Sequence, residues 1–436
     1  MIRSIVVFFL ALPALCPPLA SWDILHCDAY GLEDLDIREN AEVRGLYKDI
    51  MVAPTLEVLK LARQVFSQRG QDHRVRVEVQ TTKDAFYILF LNEEGGAFPP
   101  YARGNWIVKR DLATGGFVQI KIFFHSDPGS FVRIFPDRDG AAQGRCLMDV
   151  YLFNRRIQRE APLGSSLVSL LTLSFADIVE ATRATVNWRN LIPAVDPAAY
   201  KDVRAMAAAI RPMLPQAREV ADGAMDKNGR MVFIDSLRPQ GANAGFNCSG
   251  FVKWIADALY APLAGEYLDI GELKTKHPGS RGSSISLRYE KERDPFFGLD
   301  WSRNIALAFA RLEPGKTPDI ESSDVRDLPY WKYIEDIGFP SADIPAILYY
   351  LALREPGNVY IASVNREFGE NPVLRQHIHV AFLLPAIDAE GRFSCTVMDT
   401  TVESSMKQLV RRGDFIHLVR IKASAGFELP LVKNEP

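Results

Sequence analysis

The stretch Gly245-Phe246-Asn247-Cys248-Ser249-Gly250-Phe251-Val252-Lys253-Trp254-Ile255 decides how this 436-residue chain is read. Cys248, Phe251, Val252, Ile255 and Leu259 recur at i, i+3, i+4, i+7 and i+11, the spacing of one helix face. Asn247 is a good N-cap, which puts the thiol in the first helical turn. Unpaired backbone N–H groups and the positive end of the helix dipole favour a thiolate there. The same N–H groups can hold an oxyanion during acyl transfer, with Asn247 and Ser249 as the supporting residues. The competing reading is a small buried hydrophobe, since free Cys is often buried. Ser249 and Gly250 weigh against it: neither favours a helix, and both permit close approach to the first turn.

A nucleophilic cysteine needs a base. Of the seven histidines, His26, His73 and His125 lie near the N-terminus or in a β-patterned region, His277 in an irregular stretch, and His417 in the last strand. His377-Ile378-His379-Val380-Ala381-Phe382-Leu383-Leu384 reads as a strand whose alternation puts His377, His379 and Ala381 on one face. His379 adjoins the buried part of that strand and is the candidate base; a His satisfied at a strand end is the plainer alternative. After the turn Asp388-Ala389-Glu390-Gly391, the strand Phe393 to Val397 should pair back along it and end at Met398-Asp399-Thr400. Asp399 is then the candidate group that orients the imidazole, with Thr400 in its place if the register differs by one.

These residues resemble the NlpC-type branch of the papain-like cysteine peptidases. In that family Asp-Cys-Ser-Gly carries the nucleophile, a strand beginning Gly-His-Val carries the base, and a polar residue on the next strand orients it. Matched by position, Cys248 would be the nucleophile, His379 the base and Asp399 the orienter, with Asn247 where the family has Asp and Ile378 where it has Gly. The resemblance covers residues 166–436. It implies an α+β fold with the nucleophile helix packed on an antiparallel sheet, and hydrolysis of amide bonds in peptidoglycan peptides.

The rest of the chain sets the context. Hydrophobic residues make up 47% and charged residues 24%, the balance of a globular protein. A formal net charge of −3 argues against a mainly electrostatic nucleic-acid binder. Residues 1–20 read as a signal peptide: Arg3, the apolar run Ile5 to Leu12, then Pro13, Pro17, Pro18 and the small pair Ala20-Ser21. The run is too short to span a bilayer, so a secreted or periplasmic chain without a transmembrane segment is expected. Cys16 is a candidate lipid-attachment site, but Leu15 is bulky where that processing prefers a small residue. Cys27, Cys146, Cys248 and Cys395 would remain, allowing three complete pairings; one bridge among the others leaves Cys248 free.

Residues 21–165 are predicted to form a mainly β, antiparallel module. A helix is expected first, from Pro54 through Leu56, Leu59, Ala62 and Phe66 to Gly70. Alternating Val75, Val77 and Val79 follow, and then Trp106–Arg110 and Phe117–Phe124 flank a turn at Thr114-Gly115-Gly116. The interleaved aromatics and arginines read as core and rim, or as a carbohydrate-binding face. Near Pro162-Leu163-Gly164 the period changes to 3.6: Leu167, Leu170, Leu171, Ile178 and Val179 fit a helix of five turns, and Val203 to Met213 another. The stretch from about 262 to 356, polar and rich in Pro and Gly, is expected to be an irregular insertion over the cleft.

The expected protein is therefore a cysteine peptidase or amidase acting on peptidoglycan or another peptide. An acyltransferase or amidase on the same fold, and a non-enzymatic envelope protein, are the alternatives. No cofactor is expected, because His-Glu-x-x-His, closely spaced Cys pairs and phosphate-binding Gly-rich loops do not occur.

Overall fold

The computed structural model describes residues 38–137, 144–192, 196–277, 285, 298–315, 317–371 and 373–431. Residues 1–20, expected to be a signal peptide, and Cys16 and Cys27 lie outside the described residues. The protein is mixed α and β, built on two antiparallel sheets. Among the described residues no helix is long and apolar enough to cross a membrane.

Short helices α1 (Ala41–Leu46), α2 (Lys48–Val52) and α3 (Thr55–Val58) precede the first sheet. That sheet is an eight-stranded meander in chain order: β1 (Gln64–Ser67), β2 (Arg74–Thr81), β3 (Ala85–Asn92), β4 (Trp106–Asp111), β5 (Phe117–Phe123), β6 (Phe131–Pro136), β7 (Cys146–Leu152) and β8 (Arg155–Leu163). The helix expected over 54–70 is not there. It stops after Val58, and Gln64–Ser67 instead pairs with Arg74–Val77. Val65 and Phe66 suit a strand, and Gly70, at φ 67°, turns the hairpin rather than ending a helix. The expected hairpin over 106–124 forms, with Gly115 at φ 70° in its turn. Cations lie over aromatic rings of this sheet: Arg44 of α1 is 3.6 Å from the Trp106 ring centroid and Lys121 of β5 is 3.6 Å from that of Phe131.

The expected five-turn helix divides into α4 (Leu167–Leu170) and α5 (Phe175–Thr182). The break is chemical: Ser174 and Asp177 form a capping box that starts α5 afresh. Helix α6 (Lys201–Ile210) follows and tightens into a 3₁₀ turn at Arg211–Gln216, where Pro212 and Pro215 forbid further α-helix.

A hairpin of β9 (Gly223–Met225) and β10 (Met231–Phe233) leads into α7 (Cys248–Ala264) and α8 (Ile270–Leu273). Helices α9 (Leu299–Arg311) and α10 (Ile344–Arg354) come next. The second sheet has six strands: β11 (Phe339–Pro340), β12 (Asn358–Phe368), β13 (Leu374–Ile387), β14 (Phe393–Asp399), β15 (Val402–Ser404) and β16 (Phe415–Lys422), with α11 (Met406–Leu409) before the last. Their spatial order is β11-β16-β12-β13-β14-β15.

This sheet is apolar on both faces. Val380, Phe382 and Leu384 of β13 join Ile361 and Val419 in a core shared with α6, α7 and α9. Ala381 and Leu383 join Ala362 and Leu418 in a second core, which runs through α10 into the interior of the first sheet. Phe153 therefore meets Tyr349 and Phe393, at ring centroid distances of 5.7 and 5.6 Å. The stretch 262–356 is in part core. Leu299, Trp301, Ile305, Ile344 and Ile347 are fully buried, so α9 and α10 are integral layers and not a polar lid. Residues 278–284, 286–297 and 316 of that stretch lie outside the described residues.

Candidate active site

Cys248 opens α7. The Asn247 side chain accepts the Gly250 N–H at 2.7 Å, which caps the first turn. The turn is pressed onto β9: the Asn247 N–H donates to the Gly223 carbonyl at 2.9 Å, and a Cβ at Gly250 would overlap that same carbonyl oxygen. Here glycine is needed for close approach, despite its cost inside a helix. Cys248 is buried, with 7% of the residue exposed. Nδ2 of Asn247, the other end of the capping carboxamide, is buried and has no hydrogen-bond partner among the described residues. Ser249 is wholly buried, which leaves its backbone N–H as the group it could offer an oxyanion. Its carbonyl accepts the indole N–H of Trp301 at 3.1 Å.

His379 comes from β13. The strand alternates as expected from Val380 onward, but the alternation fails before it. Val364 pairs with His379 and Asn365 with His377, so Ile378 is an extra residue in a β-bulge. The two histidines are therefore not equivalent: His377 is 1% exposed, whereas the His379 side chain is 28% exposed. Strand β14 pairs with β13 only from Phe382 onward, so His379 lies beyond the stretch that β14 covers.

The three candidate residues converge. His379 Nε2 is 2.7 Å from Oδ1 of Asp399, and the Cys248 thiol lies close enough to the same imidazole to shift its titration. Asp399 is the last residue of β14, at the tight turn into β15, where Thr401 takes φ 67°. A β-branched residue in that region is rare, and such strain often marks a turn that the surrounding structure dictates. Thr400, the alternative orienter, is not needed in this register. Burial disfavours a charged His379, but the neighbouring Asp399 carboxylate and Cys248 sulfur outweigh burial and raise its pKa to about 10.

Sequence reasoning missed what holds this centre in place. Four successive residues of α9 each reach a different part of the fold. Trp301 donates to Ser249 as above, and Ser302 Oγ is 2.6 Å from Ser363 Oγ of β12. Arg303 meets Asp324 at 2.6 Å and Asp336 at 2.9 Å. Asn304 donates to the Leu273 and Thr275 carbonyls at 3.0 and 2.7 Å. Asp324 also faces His417 Nε2 at 3.3 Å, and the Arg303 and His417 charges hold its carboxyl well below the usual range in spite of burial. The signal available in the sequence was the mixed face of Trp301-Ser302-Arg303-Asn304, which looked like irregular polar chain. Along α7 itself, Lys253 and Asp257 form a wholly buried pair at 2.6 Å, and burial raises the Asp257 carboxyl to about 6 against the pull of Lys253.

Cys146, Cys248 and Cys395 are all free thiols. Among the described residues no group of three or more His, Cys, Asp or Glu side chains is arranged to hold a metal ion.

Residues 33–190 match a family described as Domain of unknown function (DUF8515). That span takes in the first sheet and α5 and ends before α7. Comparison with curated proteins and with solved structures returned no match.

Proposed function

We propose that the protein is a cysteine hydrolase of NlpC-like, papain-like architecture that cleaves amide bonds in peptidoglycan peptides outside the cytoplasm. The observation that carries this reading is the convergence of Cys248, His379 and Asp399 at the capped start of one helix. A helix start and two consecutive strands more than a hundred residues further on bring these residues together in the order nucleophile, base, orienter.

The chemistry follows from the geometry. With Nε2 against the Asp399 carboxylate, Nδ1 is the nitrogen left to exchange a proton with the thiol. The Cys248 thiolate attacks the amide carbonyl carbon, and the first-turn N–H groups stabilise the oxyanion that forms. The unpartnered Nδ2 of Asn247 is a further donor beside that turn. His379 then protonates the leaving amine as the C–N bond breaks, giving a thioester. Water, losing its proton to His379, attacks the thioester, and the free acid leaves with the thiolate restored. The bulge at Ile378 sets where His379 leaves the strand, and the bond from Trp301 to Ser249 anchors the first turn that carries Cys248.

The test is to incubate the purified chain with peptidoglycan sacculi and to follow new amino and carboxyl termini by mass spectrometry in ¹⁸O-labelled water. The expected result is one labelled carboxyl oxygen per cleavage, lost in Cys248→Ala. Cleavage by Cys248→Ala at the wild-type rate would refute the reading. Unlabelled, amine-linked products would replace hydrolysis with acyl transfer.

A further inference from the structure

A groove of about 930 Å³ lies away from Cys248, between the turn after α5, the 326–335 segment and the end of α10. We propose that it binds the glycan chain of an amino-sugar polymer. That it is this polymer rests on the peptidoglycan reading of the Cys248 centre; that it is a carbohydrate rests on the groove alone.

The groove carries aromatic rings with polar groups at its edge. Trp331 and Tyr350 stand with ring centroids 5.8 Å apart at 66°, and Tyr333 is a third ring along the wall. Tyr350 and Tyr333 are half-buried and offer apolar contact to the C–H face of a sugar, with Trp331, 9% exposed, packed against Tyr350. Asn187 and Arg354 stand exposed at the rim, and neither makes an ion pair or side-chain hydrogen bond among the described residues. Asp327 and Glu335 line the same rim as acceptors. A ligand there must stack on rings and must both donate and accept at its edge, as hydroxyl and acetamido groups do. A phosphate is disfavoured, because Arg326 is already neutralised by Glu321 at 2.6 Å and Asp324 at 2.8 Å, and two carboxylates remain. An acyl chain would leave the polar rim unpaired.

The groove is tied to the sheet that carries His379. The Tyr333 hydroxyl lies 3.1 Å from Nε2 of His417. His417 on β16 sits opposite Ser363 on β12, which sits opposite Val380 on β13, the residue after His379. Two strand spacings, about 10 Å, separate the ends of that row.

The test is calorimetric titration of the full chain with the tetramer of N-acetylglucosamine, beside a glucose tetramer. Wild type and Cys248→Ala are expected to bind the amino-sugar tetramer equally. Asn187→Ala and Arg354→Ala, both at exposed positions, are each expected to weaken binding at least tenfold with unchanged circular dichroism. No binding by wild type, or binding that survives both substitutions together, would overturn the proposal. Equal affinity for the glucose tetramer would overturn its amino-sugar part. A chain that binds the tetramer and cleaves no peptide would refute the hydrolase and leave the groove; one that cleaves and does not bind would do the reverse.

Discussion

His379 Nε2 and Asp399 Oδ1 lie 2.7 Å apart although twenty residues and a hairpin turn separate them. Their contact depends on register: β14 must stop at Asp399 just where β13 passes its last paired residue, Phe382. The same contact sets a pH dependence. His379 has a raised pKa, about 10 against an ordinary 6.5, so the charged pair adds stability fully below about pH 6.5 and loses it as pH rises through 10. Wild type should lose more melting temperature between pH 6.5 and 10 than Asp399→Asn does. Parallel curves for the two proteins would show that the pair carries no such linkage.

The three free thiols among the described residues should react in a fixed order. Burial pushes Cys146 up to about 11 and Cys395 up to about 12, which leaves little thiolate at neutral pH. Cys248 stands at a helix start against an imidazole. Limiting iodoacetamide at pH 7, read by peptide mass spectrometry, should modify Cys248 first, and His379→Ala should slow that reaction at least tenfold. Preferential labelling of either other cysteine would contradict the arrangement.

Gly250→Ala should damage the fold before it touches the chemistry. The added methyl would meet the Gly223 carbonyl and Ala224 and push β9 off the first turn of α7. The expected loss is about 1–3 kcal/mol, the usual cost of overpacking, measured by urea denaturation. A stability equal to wild type would mean that helix and hairpin are not in close contact.

The pair inside α7 gives a sharper contrast. Lys253→Met leaves Asp257 buried without its cation and should cost about 3–5 kcal/mol. Removing both charges, with Lys253→Met and Asp257→Leu, should recover much of that loss, although the Leu268 N–H then loses its acceptor. A double variant no more stable than Lys253→Met would assign the cost to packing instead of charge.

Much of the centre was legible because its signals are local. The cap at Asn247, the periodic face from Cys248 to Leu259 and the β pattern around His379 each need only a few adjacent residues. What was not legible depends on partners far away in the chain. The segment 54–70 carries helical spacing, yet Val65 and Phe66 gain more by pairing with β2 than a short isolated helix would. The bulge at Ile378 separates His377 from His379, and nothing within the strand announces it. Helix α9 looked like irregular polar chain because Ser302, Arg303 and Asn304 are buried by partners on β12, at Asp324 and at Thr275, which are invisible until the chain has folded. The groove at Trp331 is assembled from three distant segments and had no local signature beyond its aromatics.

The most direct test of the proposed chemistry is the mass of the Cys248-containing peptide after acid quench of a reaction with purified muropeptides. A mass increase equal to the acyl portion of the cleaved amide, found on Cys248 and absent from His379→Ala, is the expected result. Cleavage of the muropeptides with Cys248 never modified would contradict it.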